Sequence, residues 1–385
     1  MGWMASQERK NRKSVLIVGG GVAGTAVAER LGQAGMTVHI VEKGADIGGH
    51  VADMGCKATD VCLRCSVCVA REIVRSVKAA RHASIYTNTE LIAVQEGGNG
   101  SRFTAVLRSG NQQSDSTGGK KPRYPRYKTE GSAGISEGIE RTIEVDAIVI
   151  ATGYEPYDPR QNSSFGYGRI PNVITGLDAE RQIADSHRIS RITDGKLPER
   201  MAFIQCVGSR TEEIFRRPED TDYCSTVCCA YALRMAALMK HQAGDTQITV
   251  FYMDIQNFGK GFTAFYNDCK RNMRFIRSRP YELTAGADGS VRVRYTPESG
   301  GVCEEDFDLV VLAIGIRPSA DNRELADRVG IAVDGQGFLG LKGSSALPEV
   351  QRQGIYVAGA CESPKDIPGS IAQARAVSAA VLSSL

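Results

Sequence analysis

The sequence predicts an α/β fold built from two Rossmann-like domains, the first interrupted by the second. Three observations carry this expectation. A short apolar run, Ser14–Gly19 (SVLIVG), leads into a glycine-rich turn, a helical stretch and a second β-branched run. The strand-then-glycine pattern of Asp146–Gly153 (DAIVIATG) returns at Asp308–Gly315 (DLVVLAIG). A last strand, Gly354–Ala360 (GIYVAGA), feeds an alanine-rich terminal helix at Pro368–Leu385. The expected boundaries are 1–165 for the first part of one domain, 166–315 for the second domain and 316–385 for the return to the first.

The elements follow in order. Ser14–Gly19 reads as a buried parallel strand, because its apolar residues are continuous rather than alternating. Val22–Ala34 has apolar residues at helical spacing, and Thr37–Val41 is β-branched, so the three make a βαβ unit. Ser84–Val94 and Phe103–Arg108 read as further strands. Residues 96–141, rich in Gly, Ser, Lys, Arg and Tyr without periodicity, read as an exposed excursion, either a solvated loop or a partner contact. Glu144–Ala151 reads as one strand closed by Thr152-Gly153. In the second domain, Met201–Cys206, Gln247–Met253, Arg274–Arg277 and Val291–Tyr295 read as strands and Cys228–Gln242 as a helix. The aromatic residues of Phe258–Tyr266 read as packing for that domain.

Composition narrows the class. At 385 residues the chain has room for about two or three domains. Hydrophobic residues make up 42% and charged residues 24%, enough for a real core. Lys and Arg total 47 against 44 acids, a net charge of +3, too balanced to argue for nucleic-acid binding. No run of about 18 apolar residues occurs, so no membrane span is expected. The first residues, MGWMASQERKNRK, lack a secretory apolar stretch, so the expected location is the cytoplasm. In a reducing compartment, 11 clustered cysteines point to metal or catalysis rather than disulfides.

The segment Gly19-Gly20-Gly21-Val22-Ala23-Gly24 fits G-x-G-x-x-G between a strand and a helix. Gly19 permits the tight turn. Gly21 lets backbone approach a pyrophosphate, and Gly24 allows close helix–strand packing at a helix N-terminus whose dipole favours the anion. Glu42 ends the second strand, about 20 residues on, where an acid is expected to hold a ribose hydroxyl. Glu42-Lys43 followed by Gly48-Gly49 resembles the continuation found in FAD-binding two-dinucleotide-domain flavoproteins, the class that includes thioredoxin reductase. Ala151-Thr152-Gly153 resembles their second flavin contact. Gly359-Ala360 before the terminal helix resembles the motif bringing a backbone N–H near flavin and ribityl chain. That motif usually carries an acid in a Gly-Asp pair; here Cys361-Glu362 follows Ala360, a departure at the ribityl contact.

The cysteines form two sets. Cys56, Cys62, Cys65 and Cys68 make C-x5-C-x2-C-x2-C, and Cys206, Cys224, Cys228 and Cys229 make C-x17-C-x3-C-C. On spacing alone the first set is the stronger iron–sulfur candidate, with zinc and redox-active thiols as competing readings. The second set lies where a second domain would begin its own glycine loop. The residues there are Cys206-Val207-Gly208-Ser209-Arg210, and no G-x-G-x-x-G follows. A helix start and Arg210 would stabilise negative sulfur there. Cys269, Cys303 and Cys361 are isolated and read as buried thiols.

FIQCVGSR, YCSTVCCAYALRMA, DIQNFGKGFTAFYNDC and VAGACESPKDIPGSIAQA resemble the A-type subunit of heterodisulfide reductase and its relatives, over most of the chain from position 14. The resemblance implies FAD plus one [4Fe–4S] cluster, the cluster on Cys206, Cys224, Cys228 and Cys229. It also implies flavin contacts from Lys365, which would stabilise a reduced ring, and from Asp366 and Ile367 at the helix start. His50, Leu91 and Ala372 join the cofactor-binding set on the same ground; the five histidines show no metal-ligand spacing. The resemblance implies no counterpart here to the extra ferredoxin-type segments of the methanogen protein, with an electron-bifurcating subunit as in that protein as an alternative reading. It is more similar to the short heterodisulfide-reductase-like subunit of sulfur-oxidising bacteria, with the quinone-interacting oxidoreductase subunit of sulfate reducers as a third relative. The implied function is electron relay between flavin and cluster in a cytoplasmic complex of dissimilatory sulfur oxidation. The implied partners are B- and C-type subunits, lipoate-binding or sulfur-carrier proteins, and a second copy in a homodimer. Two other classes compete. An NAD(P)H-dependent disulfide reductase would need a second glycine loop near Gly208; a structural scaffold would carry cofactors that cannot be reduced.

Overall fold

The computed structural model describes residues 12–98, 100–110, 138–211, 220–256, 258–340 and 352–385. Its contacts divide the chain into two compact units. One comprises Met1–Ala52, Ser66–Glu155 and Pro318–Leu385; the other comprises Asp53–Cys65 and Pro156–Arg317.

The first unit is a parallel five-stranded sheet in the order Ile355–Val357, Ala147–Ile150, Ser14–Val18, Thr37–Val41, Ala83–Tyr86. The central strand is buried on both faces, as its unbroken apolar run requires. One face packs under the helix Val22–Gln33 and the terminal helix Ile367–Ser384, through Ala23, Val27, Leu31, Ala374 and Val377. The other face packs against the antiparallel sheet Thr89–Glu96, Phe103–Gly110, Gly138–Val145, through Leu91, Phe103 and Leu107.

Two runs read as single strands are each two. Ser84–Val94 breaks between Ala83–Tyr86 and Thr89–Glu96, because Asn88 adopts φ 48° and the chain turns there. The run Glu144–Ala151 breaks at Asp146, whose carboxylate accepts the backbone N–H of Ser14 at 2.8 Å and pairs with Lys13. That anchor separates Gly138–Val145, in the antiparallel sheet, from Ala147–Ile150, in the parallel one. Of the stretch 96–141, residues 96, 103–110 and 138–141 are strand; 99 and 111–137 lie outside the described residues. The helix Val67–Ala79 was not foreseen, although Val67, Ala70, Ile73, Val74 and Val77 line one buried face.

The second unit repeats the plan: a parallel sheet in the order Arg274–Arg277, Gln247–Tyr252, Arg200–Val207, Leu309–Ile314, Val173–Thr175. The helix Cys228–Gln242 has the expected bounds, and its buried Leu233, Met235, Leu238 and Met239 pack on Met201, Phe203 and Val311 of the sheet. The opposite face packs against the antiparallel sheet Glu282–Ala285, Val291–Tyr295, Cys303–Phe307. In the helix Phe262–Asn272, Phe262 is buried and Phe265 and Tyr266 are partly buried against this core, but Phe258, before the helix, is 62% exposed. Cys269 and Cys361 are buried as expected; Cys303, at a strand start, is only half-buried. No described helix is long and apolar enough to cross a membrane.

Candidate functional site

The first site is a glycine cradle at the carboxyl end of the first unit's central strand. Gly19 has φ 106°, and a Cβ there would lie 2.4 Å from the Ala151 carbonyl oxygen. A Cβ on Gly24 would lie 1.9 Å from the Gly19 carbonyl oxygen, so the helix meets the strand end only because Gly24 has no side chain. Gly21, by contrast, has nothing within 4 Å of its Cβ position. It caps the helix Val22–Gln33 without any side-chain hydrogen bond. Among the described residues no side chain caps this helix start, whose first-turn amides and dipole favour an anion.

The other glycine motifs converge on this turn. A Cβ on Gly49 would meet the Gly21 Cα at 3.1 Å, and the Gly48 N–H donates to the Gly20 carbonyl. A Cβ on Gly359 would meet the Ala23 Cβ at 2.6 Å, with Ala360 buried beside it. Ala151 hands its N–H to Val18, setting exposed Thr152 and open Gly153 (φ 78°) at the rim. Glu42 is buried and accepts from Gly20 N and Gly44 N at 2.8 and 2.7 Å. Burial holds its carboxyl above the usual range, with the two backbone N–H groups opposing. Each carboxylate oxygen keeps a second acceptor position.

Other candidates have local tasks. Lys43 pairs with Asp321 at 3.1 Å. The His50 ring packs on Tyr154, centroids 4.6 Å apart. Leu91 is buried in the core, its carbonyl accepting from Arg328. The Lys365 ammonium binds the Gly359 carbonyl at 3.0 Å, Glu362 at 2.6 Å and Ser363, which clamps the loop before the terminal helix. Asp366 caps that helix by accepting the Gly369 N–H at 2.8 Å; Ile367 is its first residue and Ala372 is exposed on it.

The second site is a thiol pocket in the second unit. Cys206 is 1% exposed, in the left-handed region at φ 58°, at a bulge in the strand Arg200–Val207. Cys228 and Cys229, 1% and 3% exposed, are the first residues of a helix that has no side-chain cap. Cys224 is half-buried and accepts the Thr226 N–H at 3.3 Å. Arg210 and Thr226 also adopt positive φ, 57° and 59°. Three non-glycine residues in that region around one pocket are costly, and such strain gathers at functional sites.

The electrostatics are those of a shared proton. The Cys228 thiol donates towards Cys206, and this, with Arg210 and Arg279 nearby, lowers the Cys206 thiol to about 7 against the cost of burial. Cys229 is lowered for the same first reason, helped by the Gln256 backbone. Cys228, hydrogen-bonded to both and buried, is raised, and burial also raises Cys224. Arg210 is fixed by a two-pronged ion pair to Asp254, at 2.5 and 2.9 Å. Asp254 and Gln256 belong to the DIQNFG stretch, but only the fold brings them here.

No three described His, Cys, Asp or Glu side chains converge as they would on a single metal ion. A cubane makes a different demand, since each thiolate binds a different iron. Cys56, Cys62 and Cys65 lie on the segment Asp53–Cys65 of the same unit, and Cys68 lies in the first unit. Cys56, Cys62 and Cys68 are exposed and Cys65 half-buried.

The family described as pyridine nucleotide-disulphide oxidoreductase matches residues 13–204; the chain is an oxidoreductase, and that family implies FAD. More particularly, the chain is similar to the A-type subunits of heterodisulfide reductase. It is 32% identical to the A-type subunit of the H(2):CoB-CoM heterodisulfide,ferredoxin reductase of Methanothermobacter thermautotrophicus, over 94% of this chain and 62% of that protein. It is 31% identical to the iron-sulfur A-type subunit of the CoB--CoM heterodisulfide reductase of Methanocaldococcus jannaschii, over 96% of this chain and 64% of that protein. The chain thus spans less than two thirds of the length of these relatives. Among solved structures, T. acidophilum thioredoxin reductase shares the fold at a TM-score of 0.58 and 15% identity, covering 97% of this chain and 99% of that one.

Proposed function

We propose that this chain is the FAD- and [4Fe–4S]-carrying electron-transfer subunit of a heterodisulfide-reductase-like complex, of the short type that serves dissimilatory sulfur oxidation in the cytoplasm. The observation that carries the proposal is the thiol pocket: buried sulfurs stand at the end of the second unit's central strand, where a pyridine-nucleotide domain would present a glycine loop. The space beside that loop is filled by the chain itself. Ser209 and Ser225 hydroxyls bond each other at 2.8 Å, and Ser225 also accepts the Ile316 N–H at 2.9 Å.

The donor set fits the group. Cys206, Cys224, Cys228 and Cys229 supply four thiols, and two of them are already biased towards thiolate. Arg210 and the helix start supply positive potential, and burial excludes water. In the first unit, Gly19–Gly24, Glu42, Gly49 and Gly359 hold the dinucleotide, while Lys365 fixes the loop next to it. Flavin, when bound, links two-electron to one-electron chemistry. B- and C-type subunits and lipoate-binding or sulfur-carrier proteins are the proposed partners, with a homodimer as the proposed assembly.

The test is anaerobic addition of NADH or NADPH to the purified flavin-loaded chain without partners. The flavin absorbance is expected to persist with either nucleotide and to bleach with dithionite. Rapid stoichiometric bleaching by a nucleotide would instead make the chain an NAD(P)H-dependent disulfide reductase.

A further inference from the structure

The bulge that presents Cys206 also presents its neighbour. Strand Arg200–Val207 stays in register with Leu309–Ile314 as far as Ile204 opposite Leu312, and resumes at Val207 opposite Ile314. Gln205 and Cys206 therefore stand against the single residue Ala313, as a β-bulge requires. The faces are known on both sides of the irregularity. Met201 and Phe203 pack on the helix Cys228–Gln242; Ala202, Ile204 and Val207 pack on the opposite face. Ala313 belongs to the helix side, in one cluster with Cys228 and Cys229. The inserted pair Gln205–Cys206 thus occupies the place of one helix-facing residue.

Gln205 is 2% exposed, and neither its Nε2 nor its Oε1 has a hydrogen-bond partner among the described residues. A buried primary amide offers two N–H donors and a carbonyl, and leaving all of them unmade is costly. An apolar residue would pack here without that cost. Gln205 is adjacent in sequence to Cys206, and the residue opposite the inserted pair, Ala313, packs in one cluster with Cys228 and Cys229.

We infer that the Gln205 amide donates an N–H to sulfur of the iron–sulfur group held by the thiol pocket, and that it sets the potential of that group. This rests on the cluster reading above. Reduction adds negative charge to the sulfurs, so a donated N–H stabilises the reduced state more than the oxidised one and raises the potential.

The experiment is an EPR-monitored redox titration of the full flavin-loaded chain, wild type against Gln205→Leu and Gln205→Met, with iron counted in each. Both variants keep the apolar volume and remove the donor. Both are expected to retain iron and to shift the cluster midpoint downward by about 59 mV, a tenfold fall in the reduced-to-oxidised ratio at fixed poise. Retained iron with an unmoved midpoint in both variants would overturn the inference and leave the cluster reading standing. A wild-type chain without a reducible cluster would overturn both. Loss of thermal stability alone, with the midpoint unmoved, would mark Gln205 as structural.

Discussion

Replacing Glu180 by glutamine destabilises the second unit by about 3–5 kcal/mol, the cost of stranding a buried charge. Lys57 and Glu180 are 2% and 5% exposed, with 2.6 Å between ammonium and carboxylate. The Lys57 ammonium also donates to the Gly55 carbonyl at 3.0 Å, and the Gly55 N–H donates to Glu180 at 3.2 Å. These bonds tie the segment Asp53–Cys65 onto the helix Gly176–Ser186. A Cβ on Gly55 would lie 2.3 Å from the Ile183 side chain, so the segment also needs glycine to lie close. Farther along, Arg234 holds the Leu63 carbonyl at 2.8 Å. Glu180→Gln should lower the unfolding midpoint and open 53–65 to proteases. The double change Lys57→Met with Glu180→Leu should recover most of the loss, because neither partner is then left charged and buried. Equal loss in the single and double variants would show that the pair is not what holds the segment.

On the proposed cluster reading, changing Cys228 to serine is expected to remove the iron. Cys228 is the sulfur through which Cys206 and Cys229 communicate, and it starts the helix whose positive end faces the pocket. Losing even an outer-shell partner costs a metal site about 10–100-fold in affinity, so losing a ligand costs at least that. Iron content should fall by at least about tenfold, with FAD retained, because the glycine cradle belongs to the other unit. Cys62→Ser, Cys65→Ser and Cys68→Ser should leave iron in place. Loss of iron from that second group of variants, with Cys228→Ser unaffected, would move the cluster to the first cysteine set.

The parts of the fold that were legible in the sequence are those governed by local rules. The first strand, its glycine turn, the helix after it and the helix Cys228–Gln242 follow from apolar periodicity and glycine placement. The repeated strand-and-glycine pattern also corresponds to structure: Ala147–Ile150 flanks the central strand of one sheet as Leu309–Ile314 flanks that of the other. What was illegible depends on partners distant in sequence. The apolar run through Asp146 looks continuous until the Ser14 amide and Lys13 claim its carboxylate. The helix Val67–Ala79 has a clear apolar face, but it begins within the cysteine run, where metal-ligand spacing is the stronger local signal.

The site divides in the same way. The glycines at 19, 21, 24, 49 and 359 were legible, and the structure brings them together at one helix start. The contacts of Arg210 with Asp254 cross 44 residues, and nothing local announces them. Gln205 was visible as a polar residue in an apolar strand, Phe-Ile-Gln-Cys. Its meaning depends on a register shift against Leu309–Ile314, which no single strand can reveal.

The central claim, that the second unit holds a cluster where a nucleotide loop would stand, is tested most directly by iron, acid-labile sulfide and flavin quantification on the anaerobically purified chain. The account predicts the iron and sulfide of one [4Fe–4S] cluster together with one FAD per chain. Full flavin occupancy with no iron or sulfide would contradict it.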